Sequence, residues 1–123
     1  MTKIAREWLK ATGCEKLMDE LALDKFSVID FGFRGVSSVE SAGLGGAAHL
    51  VNQMGSDTVA GVNVAKAYYG ADMAGFSIAA AEHSTITSWG KDKEVEAFRN
   101  MLTKFNDGLV AVVSDSYNIR GGG

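Results

Sequence analysis

The sequence predicts an α/β fold: about four short parallel strands with crossover helices, the content of half a (β/α)8 barrel. Three observations point there. Short apolar runs alternate with helical periods between residues 26 and 113. The intervening segments are long enough for helical crossovers, which parallel strands require. Polar residues, with one aromatic among them, gather where the runs end: Asp30, Phe31 and Arg34; Ser56 and Asp57; Glu82 and His83; Ser114 and Asp115. In parallel α/β architecture that face is where sites are built.

The elements follow in order. Ile4, Trp8, Leu9, Leu17, Met18 and Leu21 recur at three- and four-residue spacings. They predict a helix to about Lys10, a break near Gly13 and a second short helix over Glu15 to Leu21. Phe26 to Phe31 is β-branched and aromatic and runs into glycine, so it reads as a buried strand. Ser37 or Ser38 can cap a helix to about Asn52, with Glu40 in its first turn. Gly43, Gly45 and Gly46 lie inside that helix, and each costs about 1 kcal/mol against alanine. Tight packing against a sheet explains them better than helix propensity does. A strand near Gln53 to Asp57, a helix over Val59 to Tyr69 and a loop over Gly70 to Gly75 come next. Phe76 to Ala81 is a small-residue strand ending at Glu82-His83. Lys93 to Phe105 reads as an amphipathic helix with Val95, Phe98, Met101, Leu102 and Phe105 on one face. Leu109 to Val113 is a last apolar strand. Residues 1–119 read as one partial barrel domain, and Arg120-Gly121-Gly122-Gly123 as a flexible tail, native or appended.

Composition narrows the function. The chain has 123 residues, 46% hydrophobic and 22% charged, which suits one globular domain or a piece of a larger one. A formal net charge of −3 gives no reason to expect nucleic acid or anionic membrane as a partner. No apolar run approaches the ~20 residues of a membrane span. The first seven residues are too charged for a signal-peptide core. Cys14 is the one cysteine, so no intrachain disulfide is expected, and a reducing, cytoplasmic location is the default. The chain carries 15 glycines and no proline.

The residues able to carry chemistry lie at the strand ends. His83, between Glu82 and the hydroxyls of Ser84 and Thr85, can be a base, a nucleophile or a phosphoryl acceptor. The alternative is a histidine tied into a local hydrogen-bond network. Asp115 can orient His83 or bind a metal-phosphate, or merely cap the next turn. Asp57, in Gly55-Ser56-Asp57-Thr58, is a site carboxylate or a turn and helix cap. Arg34, between glycines, suits phosphate or pyrophosphate at a site mouth, or makes a surface salt bridge. His49, mid-helix, reads as packing or surface. Gly43-Leu44-Gly45-Gly46 is not G-x-G-x-x-G and lies inside a helix, so it is not a dinucleotide loop. No P-loop, C-x-x-C or H-E-x-x-H is present, and no resident metal site is expected.

Five blocks, in order, carry a resemblance. They are Asp30-Phe31-Gly32-Phe33-Arg34-Gly35-Val36-Ser37-Ser38, Ala47-Ala48-His49-Leu50-Val51-Asn52, Gly55-Ser56-Asp57-Thr58-Val59-Ala60-Gly61, Ala80-Ala81-Glu82-His83-Ser84-Thr85-Ile86-Thr87-Ser88-Trp89-Gly90 and Val112-Val113-Ser114-Asp115-Ser116-Tyr117. Over about residues 26 to 119 the chain resembles the nicotinamide phosphoribosyltransferase family. The resemblance implies a type II phosphoribosyltransferase barrel. The reaction it implies joins nicotinamide and phosphoribosyl pyrophosphate, with Mg2+, into nicotinamide mononucleotide and pyrophosphate for NAD biosynthesis. Phe31 matches the aromatic that stacks on the ring, Arg34 the arginine beside the phosphate-bearing substrate, and Asp57 the carboxylate that receives the amide. Ser77 and Ile78 match ring-pocket residues. His83 matches the histidine phosphorylated by ATP, with Glu82 and Asp115 as supporting acids.

There are departures. Ile29 stands where the family often has histidine, Ala79 replaces a usual proline, Ala111 replaces a common serine, and the last four residues differ altogether. Family members are several times longer, so the resemblance implies a central segment with little or no transferase activity alone. It also implies a homodimer, and a half-barrel with open edges would associate with itself or with a complementary chain. A nicotinate-type relative, or a non-catalytic binding or assembly module keeping the fold, are the alternatives.

Overall fold

The computed structural model describes residues 2–13, 16, 23–26 and 28–117. The chain forms two compact units, Met1–Ser77 and Ile78–Gly123.

In the first unit, α1 (Thr2–Ala11) ends one residue beyond the expected Lys10. Leu9 turns inward, whereas Ile4 and Trp8 stay exposed. The second short helix expected over Glu15 to Leu21, and the tail at 120–123, lie outside the described residues. One helical turn, α2 (Leu23–Phe26), stands where the first strand was expected to begin. The strand itself, β1, is only Ile29–Asp30. It pairs in parallel with β2 (Gly55–Ser56), Ile29 opposite Gly55 and Asp30 opposite Ser56. Phe76 adds a parallel bridge to Gly55, with Ser56 N–H donating to Phe76 O at 2.8 Å and Phe76 N–H to Met54 O at 2.7 Å. The Phe76 ring meets Phe26 edge-on at 6.4 Å.

The crossover from β1 to β2 is α3 (Val39–Leu50). Ser38 caps it, its hydroxyl accepting from Ser41 N–H at 3.0 Å, which satisfies one of the orphan donors of the first turn. The next helix, α4, spans Val59–Tyr69 as expected and ends at Gly70, whose φ of 65 suits a residue without a Cβ. Two glycines of α3 have a different partner from the one expected. Gly43 and Gly46 pack on α4 rather than on a sheet, and Gly45 faces open space. A Cβ on Gly46 would lie 2.8 Å from Gly61 Cα, and one on Gly61 would lie 2.7 Å from Gly46 C and Cα. A Cβ on Gly43 would lie 2.8 Å from Val64 Cγ2. The backbones touch because no side chain separates them.

In the second unit, β3 (Ala79–Ala81) pairs in parallel with β4 (Val110–Val112), Ala80 opposite Ala111. Between them run α5 (His83–Thr87), a 3-10 turn at Lys91–Lys93 and α6 (Glu94–Lys104). Ala81, Ile86, Ala97 and Met101 form the core, with Phe98, Val110 and Val112 packed against it. Two expectations change here. Helix α5 begins at His83, directly after the strand. The buried side of α6 is Glu94, Ala97 and Met101, while Val95, Leu102 and Phe105 of the expected apolar face are exposed, Leu102 by 60%. The small Ala97 lets α6 approach Ile86, so the inward side is set by closeness of packing rather than by side-chain bulk.

The chain is therefore a mixed α/β protein whose short strands pair in parallel. Among the described residues no helix is long and apolar enough to cross a membrane.

Candidate functional site

The first unit carries one group of site residues at the ends of β1 and β2. Asp30 closes β1, and its carbonyl accepts Asp57 N–H at 2.7 Å. Asp30 Oδ1 accepts Gly32 N–H at 2.9 Å, the two-residue reach of an Asx turn. The chain then makes a 3-10 turn at Phe33–Gly35 that carries Arg34 on the exposed surface. Phe31, between strand and turn, is 70% exposed. An aromatic ring left in water at a strand end has a face open for stacking.

Asp57 follows β2 and is exposed, and Ser77 Oγ donates to its Oδ1 in a short hydrogen bond. The reading of Asp57 as a helix cap fails in detail. The residue before α4 is Thr58, whose own side chain makes no cap bond to the helix. Thr58 is buried, and its hydroxyl donates to Asp30 O at 3.4 Å. That leaves the Asp57 carboxylate bound by Ser77 and directed away from helix capping.

His49 is structural. Its Nε2 sits 2.9 Å from Gly55 O, so the ring N–H donates to a strand carbonyl from the α3 side. This agrees with the packing role expected for it.

The second unit carries the other group. Glu82 is the N-cap of α5, its Oε1 accepting Ser84 N–H at 3.2 Å. His83 is the first helical residue, and its Nε2 lies 3.3 Å from Asp115 Oδ1, with the side chains 49% and 74% exposed. Ile86, fully buried one turn later, anchors the helix that presents His83. The arrangement orients an exposed imidazole toward a carboxylate, and such a ring can serve as a nucleophile or base. Ile78 belongs to the opposite end of β3. It lines a hollow of about 400 Å3 with Lys104, Phe105 and Leu109, where the strands start.

The structure brings Asp57 to Ser77 and His83 to Asp115 and Glu82. It sets Phe31 and Arg34 on one turn beside Asp30, and leaves Ile78 apart from Glu82 and His83. The residue that sequence reasoning underused is Asp30. Its signal was the Asp-x-Gly spacing, which lets a carboxylate hold the amide two residues on. Among the described residues no three His, Cys, Asp or Glu side chains gather into a group that could hold a metal ion.

Comparison with known proteins follows this geometry. The sequence profile described as "Nicotinate phosphoribosyltransferase (NAPRTase) family" matches residues 26–120. The nicotinamide phosphoribosyltransferase of Xanthomonas campestris pv. campestris (strain 8004) is 62% identical over 96 residues, covering 76% of this chain and 20% of that protein. The one from Acinetobacter baylyi (strain ATCC 33305 / BD413 / ADP1) is 34% identical over 91 residues, 72% of this chain and 18% of that protein. The one from Mycoplasma genitalium (strain ATCC 33530 / DSM 19775 / NCTC 10195 / G37) is 36% identical over 101 residues, 82% of this chain and 20% of that protein. The chain spans about a fifth of the length of these curated relatives. The match takes in both groups of site residues, and the chain belongs to the nicotinate phosphoribosyltransferase family.

Proposed function

We propose that the chain is a segment of a nicotinamide phosphoribosyltransferase, which joins nicotinamide to phosphoribosyl pyrophosphate and releases pyrophosphate. In this reading the two parallel strand pairs are parts of one type II phosphoribosyltransferase barrel, in a cytoplasmic homodimer serving NAD salvage. The relatives, each a nicotinamide phosphoribosyltransferase, support the substrate, and so does one observation on the chain itself. Asp57 is an exposed carboxylate held by Ser77 at the end of β2. An ionised carboxylate accepts from the amide N–H of nicotinamide, whereas the carboxylate of nicotinate would face it with like charge.

The other residues take roles around that contact. Phe31 stacks on the pyridine ring, with Ser77, which donates to Asp57, lining its pocket. Arg34 meets the phosphate-bearing substrate, where a planar fork can bind two oxygens. Mg2+ comes with phosphoribosyl pyrophosphate and supplies counter-charge to its oxygens. ATP serves as phosphoryl donor to His83. A ring nitrogen of His83 forms the new N–P bond as the bond from the γ-phosphorus to the bridging oxygen breaks and ADP leaves. Asp115 and Glu82 support the charged ring that results.

Calorimetric titration of the chain with nicotinamide and nicotinate tests the reading. Nicotinamide should bind more tightly, and Asp57→Asn should narrow the preference about tenfold or more, the scale of one hydrogen bond to a charged group. Tighter binding of nicotinate by the unaltered chain would sink it.

A further inference from the structure

We propose that Asp30 is a positioning residue: its carboxylate sets the turn that presents Phe31 and Arg34, while its carbonyl independently holds Asp57. The inference rests on the proposed function for what the turn presents, but not for the turn itself.

The argument starts from the two ends of one residue. At the backbone, Asp30 O accepts Asp57 N–H at 2.7 Å, the bond that fixes the end of β2 against the end of β1. At the side chain, Asp30 Oδ1 accepts Gly32 N–H at 2.9 Å. That bond spans Phe31, so the direction in which Phe31 leaves the strand is decided by the carboxylate. Gly32 in turn precedes the 3-10 turn Phe33–Gly35, and its carbonyl accepts Gly35 N–H at 2.9 Å. Gly32, its N–H on the carboxylate and its carbonyl on Gly35 N–H, therefore links the carboxylate to the turn that carries Arg34. A hydrogen bond to an ionised acceptor is shorter and stronger than one to a neutral acceptor.

The second observation is the room kept for that carboxylate. Asp30 is half-buried and borders a hollow of about 320 Å3 shared with Gly32, Phe33 and Gly46. A Cβ on Gly46 would come within 3.3 Å of Asp30 Oδ2. The bare face of Gly46 thus admits the carboxylate in the rotamer that points Oδ1 at Gly32. Neither Asp30 nor Gly46 is among the residues expected to touch substrate. Both act through the turn.

Because the two ends act separately, side-chain replacement should move the turn and spare Asp57. The first measurement needs no variant. In the uniformly labelled chain, a through-hydrogen-bond scalar coupling between the Gly32 amide nitrogen and the Asp30 carboxyl carbon is expected, and its absence overturns the proposal. The second measurement is ligand binding by calorimetry. Asp30→Ala should weaken nicotinamide about tenfold, the scale of one lost hydrogen bond to a charged group, and Asp30→Asn should recover most of that loss because Asn keeps an acceptor oxygen. The preference for nicotinamide over nicotinate, set by Asp57, should be unchanged in both variants. Equal loss in the Ala and Asn variants, or a collapsed preference, overturns the assignment. An unaltered chain that binds no nicotinamide defeats the proposed function instead, and the scalar coupling still decides the role of Asp30.

Discussion

At the scale of single residues, the His83–Asp115 pair separates stability from chemistry. Both side chains are about half exposed or more. An exposed ion pair contributes roughly 0–1 kcal/mol to stability, so Asp115→Asn should leave the unfolding free energy within about 1 kcal/mol of the parent. Under the proposed function, the same change removes the charge that would steady a phosphorylated ring. Labelled phosphate retained on His83 from ATP should therefore fall about tenfold or more, again the scale of a hydrogen bond to a charged group. Unaltered labelling would show that Asp115 does not serve His83. The pairing of these two residues was legible only as a guess from strand ends. Thirty-two positions separate them in the chain, and no local pattern encodes a distance across that gap. Asp57 was easier to place, because it follows a recognisable strand. What could not be read was that Thr58, one residue on, turns inward to Asp30 and releases Asp57 from capping.

At the scale of elements, the α3–α4 crossing makes the sharpest claim. Gly61 lies so close to Gly46 that a methyl group there would meet backbone on the facing helix, which cannot rotate away. Gly61→Ala should lower stability by about 1–3 kcal/mol, the usual cost of overpacking, even though alanine is the better helix former. Urea unfolding of the two proteins checks this, and equal midpoints would refute the close approach. Helix α4 was fully legible because its apolar period, its start after Thr58 and its stop at Gly70 agree. Helix α5 was not. Five residues, most of them Ser or Thr, carry too little propensity to announce a helix, and burial of Ile86 is what holds it. The face of α6 was legible in part. Met101 and Phe98 of the expected face do reach the core, but periodicity weighs bulk, so it picked exposed Leu102 and Phe105 and missed buried Ala97.

At the scale of the whole molecule, each unit has its own sheet and helices. The second unit hangs on few large side chains, with Ile86 the one that is fully buried. Ile86→Ala should cost about 2–5 kcal/mol, the range for aliphatic-to-alanine changes in a core. Hydrogen exchange followed by residue should show the loss at the amides of 79–81 and 94–104. Unchanged protection there would mean that Ile86 is not the keystone of this unit. The α/β class and the parallel pairing were readable from alternation and crossover length. Strand lengths were not, since the expected strands of five or six residues yield two or three paired ones.

Gly45 and Gly46 are neighbours on α3, yet they would give opposite answers in a mutational scan. Nothing lies within 4 Å of a Cβ placed on Gly45, whereas Gly46 faces both Gly61 and the Asp30 carboxylate. Alanine at 45 should raise the melting temperature, by the helix-propensity gain of about 0.5–1 kcal/mol. Alanine at 46 should lower it and disturb ligand affinity as well. An engineer who replaced every helical glycine to harden this protein would gain heat tolerance at one position and, at the very next, press a methyl group on the facing helix and on the Asp30 carboxylate.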